Sequence, residues 1–131
     1  MTAPSRPDNW AIRVVVVDDD EFEREFLVQL LKDSGFNVSS MPSVIGVTNH
    51  LIKERAQVVV LDVMMPTISG DKLGLLLRRS PALQKLGVVL VSSLSHDEVL
   101  PLVTASEADA FVPKAHVRTD LARVVHTVAN R

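Results

Sequence analysis

The sequence predicts an α/β domain built on a five-stranded parallel sheet, doubly wound with helices on both faces. Three observations carry this prediction. Short apolar runs alternate five times with amphipathic stretches of helical period. The runs Val14–Val17, Val58–Leu61 and Leu86–Val91 are apolar throughout rather than at every second position, which suits strands buried on both faces. Carboxylates stand where two of these runs end, Asp18 and Asp19 after the first and Asp62 after the second.

The elements follow in order. Residues 1–10 read as a disordered leader containing Pro and Ser, with Trp10 able to dock onto the fold, and residues 11–131 as one domain. Ile12–Val17 is the first strand. Asp20 with Glu23 three residues on has the spacing of a capping box. The helix that follows places Phe22, Phe26, Leu27, Leu30 and Leu31 on its core face, and Gly35 closes it. Phe36–Met41 is a partly polar strand suited to a sheet edge. Pro42-Ser43 opens a second helix, expected to reach about Lys53. Val58–Leu61 is the third strand. A loop holding Pro66 and Gly70 leads to a helix through Leu73, Leu75, Leu76 and Leu77, which Pro81 ends. Leu86–Val91 is the fourth strand. A helical stretch spans about Ser95 to Ser106, and Ala110–Val112 is a short fifth strand. The last helix runs from Val117 to Ala129 with Leu121, Val124, Val125 and Val128 inward. Pro101 lies inside the fourth helical stretch, where it removes a hydrogen bond and crowds the preceding turn, so that helix is expected to be kinked, shortened or started late.

Bulk composition narrows the function. The 131 residues are 47 % hydrophobic and 23 % charged, as for a globular chain with a substantial core. A net charge of −2 with no Lys/Arg-rich block gives no reason to expect nucleic acid or an anionic membrane as partner. The absence of cysteine excludes disulfides, thiolate metal sites and Cys nucleophiles. No apolar run is long enough to span a bilayer, and the first residues lack the apolar core of a signal peptide, so a cytoplasmic location is expected. The four histidines, His50, His96, His116 and His126, have no metal-ligand spacing.

The chemistry lies at the strand ends. In an open parallel sheet, ligands bind beyond the carboxyl ends of the strands. Asp18 and Asp19 follow strand one, Asp62 strand three, Ser92 and Ser93 strand four, and Lys114 strand five. One rim thus receives carboxylates, a hydroxyl and an ammonium. Taken singly, each has an ordinary explanation: Asp18 to Glu21 as a solvated helix start, Asp62 as a loop cap, Ser92 as a turn residue, Lys114 as a surface lysine, Phe111 as core. Four such residues at one edge argue for a cation site beside a reactive oxygen.

This pattern resembles the receiver domain of two-component response regulators, over about Arg13 to Ala129. The motifs are the acidic pair after strand one, Asp62 with Pro66 four and Gly70 eight residues later, Ser92 after strand four and Lys114 after strand five. The resemblance implies a flavodoxin-like fold with strand order 2-1-3-4-5. It implies that Asp62 accepts a phosphoryl group from a phosphohistidine. Asp18, Asp19, Asp62 and the Met64 backbone carbonyl would hold Mg²⁺. Lys114 would be the basic partner, Ser92 the switch hydroxyl and Phe111 the switch aromatic. Such a domain is a signalling switch of a two-component phosphorelay that catalyses only its own phosphorylation and slow autodephosphorylation. Its expected partners are a histidine kinase or phosphotransfer protein and an effector or fused output domain, with a second copy of the chain as an option. The residue types suit this chemistry: Mg²⁺ prefers oxygen ligands, and phosphoryl transfer needs positioning and charge neutralisation more than covalent help.

Three positions depart from the family pattern. Ala115 follows Lys114 where many receivers carry proline, so a trans bond is expected. Pro101 interrupts the fourth helix. Ser92 replaces the commoner threonine. Met64 and Leu94, two residues beyond Asp62 and Ser92, are apolar and cannot orient water, which predicts slow loss of the phosphoryl group. Two alternatives compete. A receiver-like interaction module that is never phosphorylated would tolerate Ala115 and Pro101. A Mg²⁺-dependent phosphohydrolase would need a general acid two residues after the nucleophile, where Met64 stands.

Overall fold

Strand burial organises the molecule. The computed structural model describes residues 11–65 and 68–131; the expected leader, the docking of Trp10 and the loop residue Pro66 lie outside these. The elements are β1 (Arg13–Val17), α1 (Glu21–Asp33), β2 (Asn37–Met41), α2 (Val47–Glu54), β3 (Val58–Asp62), α3 (Gly70–Arg78), β4 (Gly87–Ser92), α4 (His96–Ser106), β5 (Ala110–Pro113) and α5 (Val117–Ala129). The strands form one parallel sheet in the order β2-β1-β3-β4-β5, as expected of a doubly wound flavodoxin-like fold.

Period-two alternation divides the core into two layers. Val14, Val16, Val58, Val60, Val89 and Val91 point to one face and pack with Leu27 and Leu31 of α1 and Leu121 and Val125 of α5. Val15, Val17, Val59, Leu61, Val88 and Leu90 point to the other and meet Leu51 of α2 and Leu73 and Leu77 of α3. The central strands are therefore apolar on both faces between their ends because both faces are covered. β2, at the edge, is mostly half-buried, and its serines mark it as such.

Helix ends follow local chemistry. Asp20 caps α1 by accepting from the Glu23 N–H at 2.8 Å. The return half of the expected capping box is missing. The Asp20 N–H donates to Asp18 Oδ1 at 2.9 Å instead, and the Glu23 side chain is engaged by Lys114. At the other end Gly35 takes φ 93°. Its N–H bonds the Lys32 carbonyl while that of Phe36 reaches back to Leu31, a Schellman closure.

Three expectations are corrected. Phe22 is 84 % exposed rather than inward. At 100° per residue it lies about 160° around the helix from the midpoint of Leu27 and Leu31. α2 starts at Val47, not at Pro42-Ser43, because Gly46 adopts a left-handed φ of 76°, the Val47 N–H closes a turn on the Val44 carbonyl, and Ser43 Oγ accepts from the Ile45 N–H. Pro101 neither shortens nor delays α4, which runs from His96 to Ser106. Ser95 and Glu98 form a full capping box that fixes its start, and the bond Pro101 removes would have gone to the carbonyl of Asp97, on an exposed turn that water can reach.

At the amino-terminal end of the sheet, a charged clasp joins three elements. The Asp109 carboxylate receives Arg78 from the end of α3, Arg131 beyond α5, and the Val88 N–H of β4 at 2.7 Å. Arg78 also donates to the Glu107 carbonyl at 2.7 Å and the Leu86 carbonyl at 3.1 Å. No helix among the described residues is long and apolar enough to cross a membrane.

Candidate functional site

Sheet register brings the expected residues to one edge. Val17 pairs with Leu61, Asp62 with Val91, and Ser92 with Pro113, so Asp18, Asp62, Ser92 and Lys114 emerge from neighbouring strand ends. Asp18, Asp62 and Ser92 are all buried. A charge at this depth requires a partner.

Asp62 has two. Its Oδ1 accepts from the Met64 N–H at 3.0 Å, and its Oδ2 lies 3.4 Å from Lys114 Nζ. Lys114 is held more closely elsewhere: its Nζ is 2.6 Å from Glu23 Oε1. Asp18 Oδ1 accepts from the Asp20 N–H at 2.9 Å, while Oδ2 is buried without a donor among the described residues. One oxygen each from Asp18, Glu23 and Asp62 lie within 4.8 Å of one another.

These surroundings move the titrations. Burial pushes the Asp18 carboxyl up to about 7; the Asp20 N–H opposes the rise, and the charges of Glu23 and Asp62 add to it. Burial also raises Asp62, against the opposing Met64 N–H and Lys114. For Lys114, burial disfavours the ammonium, yet the carboxylates of Glu23 and Asp62 prevail and its pKa rises. An orphaned carboxylate oxygen among several carboxylates, with one ammonium beside them, has the donor set of a hard divalent cation such as Mg²⁺.

Backbone packing fixes the acceptor strand. Gly70 opens α3 against the Asp62 main chain, and its N–H donates to the Val63 carbonyl at 3.1 Å. A Cβ at this position would stand 2.4 Å from the Asp62 carbonyl oxygen. Glycine is needed here for close approach.

The remaining candidates are more loosely placed. Asp19 is exposed and outside the group of three carboxylates. Met64 is 60 % exposed at the rim. Ser92 Oγ accepts from the Leu94 N–H at 3.0 Å, and no hydrogen bond joins it to Asp62 among the described residues. Leu94 is half-buried, and Phe111 is half-buried against the α3 side of the core. The Lys114–Ala115 bond is trans, no cis peptide being present among the described residues. Glu23 was not expected in the site. Its position three residues after Asp20 suggested a cap, although the same spacing places it over the end of β1.

Comparison with known proteins agrees with this geometry. A sequence model described as the response regulator receiver domain matches residues 14–126. A cyclic di-GMP phosphodiesterase of Thermotoga maritima is 31 % identical over 121 residues, covering 90 % of this chain and 31 % of that protein. Response regulator MprA of Mycobacterium bovis is 35 % identical over 60 residues, covering 46 % of this chain and 26 % of that protein. The chain thus spans less than a third of the length of these two relatives. Among solved structures, a putative response regulator from Chloroflexus aurantiacus superposes with a TM-score of 0.84 at 21 % identity, covering 92 % of this chain and 98 % of that one. Chemotaxis protein CheY4 of Vibrio cholerae gives 0.81 at 20 % identity, covering 89 % and 98 %. At these identities the structural matches establish the shared fold.

Proposed function

Because the chain belongs to the response regulator receiver domain family, we propose that it is a phosphorylation-dependent switch whose acceptor is Asp62. One observation carries the reading: the Asp62 carboxylate lies 3.4 Å from the Lys114 ammonium and within 4.8 Å of carboxylate oxygens of Asp18 and Glu23 that could hold a divalent cation. An ammonium, together with carboxylates that would hold a divalent cation, beside a nucleophilic carboxylate is what transfer of an anionic phosphoryl group requires.

In this mechanism an Asp62 carboxylate oxygen attacks phosphorus of a partner's phosphohistidine. The new bond is P–O, the broken bond is P–N, and the imidazole nitrogen leaves with its electron pair. Asp18, Asp19, Asp62 and the Met64 carbonyl would hold Mg²⁺, which when bound neutralises charge on the phosphoryl oxygens. Lys114 neutralises a second oxygen. The Ser92 hydroxyl donates to a third after turning from its present contact with the Leu94 N–H, and Phe111 follows inward, shifting the population of the surface around β4 and β5. The protein acts only on itself in this scheme, and its signal passes in the cytoplasm to an effector or fused output domain. Met64 and Leu94 flank the acyl phosphate with apolar side chains, so water is poorly oriented and the phosphorylated state is long-lived.

The test is Mg²⁺-dependent labelling by acetyl phosphate. Wild type should take up label, and Asp62→Asn should not. Absence of label on wild type, under conditions where another receiver is labelled, would instead identify an interaction module that works without phosphorylation.

A further inference from the structure

Glu23 has no part in the scheme above, yet it makes the shortest contact in the site. Its Oε1 is 2.6 Å from Lys114 Nζ, against 3.4 Å from Lys114 to Asp62. The ammonium that the acceptor needs is therefore held more closely by another carboxylate. Glu23 sits in the first turn of α1, with its side chain 24 % exposed and hence free to turn, whereas Asp18 and Asp62 are buried on strand ends.

A second relation is independent of Lys114. One oxygen of Glu23 lies within 4.8 Å of oxygens from both Asp18 and Asp62, and Asp18 Oδ2, fully buried, has no donor among the described residues. Ligand oxygens around an octahedral Mg²⁺ at about 2.1 Å stand about 3 to 4 Å apart. A short swing of the flexible Glu23 side chain, with the two aspartates nearly still, meets that requirement. The same swing takes its charge off Lys114. If Glu23 stayed on Lys114, its negative charge would stand beside the space that incoming phosphoryl oxygens occupy and would repel them.

We propose that Glu23 is a movable carboxylate of the cation site, resting on Lys114 when no cation is present and becoming a direct ligand when Mg²⁺ binds, which releases Lys114 toward Asp62. Cation binding and exposure of the ammonium are then one event. The site presents its full positive character to a phosphoryl group only after it is loaded. The ligand role stands on the geometry of the three carboxylates; the use of the released ammonium rests on the reading of Asp62 as acceptor.

The experiment is calorimetric titration of the full chain with Mg²⁺ in the absence of any phosphoryl donor, using wild type, Glu23→Gln, Glu23→Asp and Asp18→Asn. Unchanged circular dichroism checks that each is folded. Glu23→Gln should weaken binding at least about tenfold, since loss of even a group that only orients a metal ligand costs about 10–100-fold. Glu23→Asp keeps the charge but is one methylene shorter, and should also weaken it measurably. Asp18→Asn should abolish it. NMR of the Lys114 side chain gives a second readout. Its signal should move on adding Mg²⁺ to wild type, and in Glu23→Gln should start near the released position and move far less. Mg²⁺ affinity of Glu23→Gln equal to wild type would overturn the proposal. So would wild-type affinity in Glu23→Asp, which would leave Glu23 as charge alone, or an equal Lys114 response in wild type and Glu23→Gln. If wild type takes no label from acetyl phosphate while the affinities fall as stated, the acceptor reading fails and the ligand role of Glu23 stands.

Discussion

Replacing Asp18 by asparagine should stabilise this protein while removing its cation site. The side chain is fully buried, and Oδ2 has no donor among the described residues. Its carboxyl is raised from 3.8 to about 7, by burial first and by the charges of Glu23 and Asp62 in addition. At about 1.36 kcal/mol per pH unit, that displacement bounds the cost of the ionised form at about 4 kcal/mol. Charge shared with the neighbours and local relaxation reduce it, and a gain of about 2 kcal/mol is expected for Asp18→Asn above pH 7 without cation. Between 3.8 and about 7 the native state keeps a proton that the unfolded chain has lost, so wild-type stability falls as pH rises through that window. The variant lacks this titration. Its advantage should therefore be under half as large at pH 5 as at pH 8. Urea unfolding in EDTA at the two pH values measures it. Mg²⁺ should then reverse the order, because a ligand at a hundredfold excess over its Kd stabilises wild type by about 2.7 kcal/mol and leaves the variant little changed. A variant no more stable than wild type at pH 8 in EDTA, or an advantage independent of pH, would refute the reasoning.

Three further outcomes follow from other parts of the molecule. Gly70→Ala forces a methyl against the Asp62 carbonyl, 2.4 Å away; overpacking of this kind costs about 1–3 kcal/mol, and a lowered urea midpoint together with weaker Mg²⁺ binding is expected. Asp109→Ala takes the carboxylate from Arg78 and leaves the Val88 N–H without its acceptor; thermal and urea unfolding should show a loss of about 3 kcal/mol, with Mg²⁺ affinity unchanged. The double variant Met64→Asn, Leu94→Glu supplies polar groups beside the acceptor, and should shorten the phosphoryl half-life about tenfold, a modest part of what positioned acid–base groups contribute; half-lives equal to wild type would remove the shielding explanation.

Much of this architecture was legible in the chain because burial on both faces leaves a strong mark. Val14–Val17 and Val58–Leu61 could be read as central strands from composition alone, and α5 was bounded at Val117 and Ala129. Edges of elements were less legible where a single backbone angle decides. Gly46 could have been a helix residue or a break, and only its left-handed conformation sets the start of α2. Pro101 suggested a damaged helix, yet the capping box at Ser95, six residues before it, outweighed it. At the site, residues projecting straight from strand ends were foreseeable. Glu23 was not, because a glutamate at the third helical position serves a cap as readily as a neighbouring strand end. Only the distance to Lys114 separates these uses.

The Asp109 clasp gives the sheet a fixed end. There, two arginines and a backbone N–H tie α3, β4 and the end of α5 to one carboxylate. At the opposite end the strands finish in carboxylates that repel one another and share a single ammonium. The sheet is thus built like a cantilever, anchored at its amino edge and adjustable at its carboxyl edge. A small displacement introduced at the free end is therefore expected to move the helices and loops that leave from that edge rather than the whole sheet.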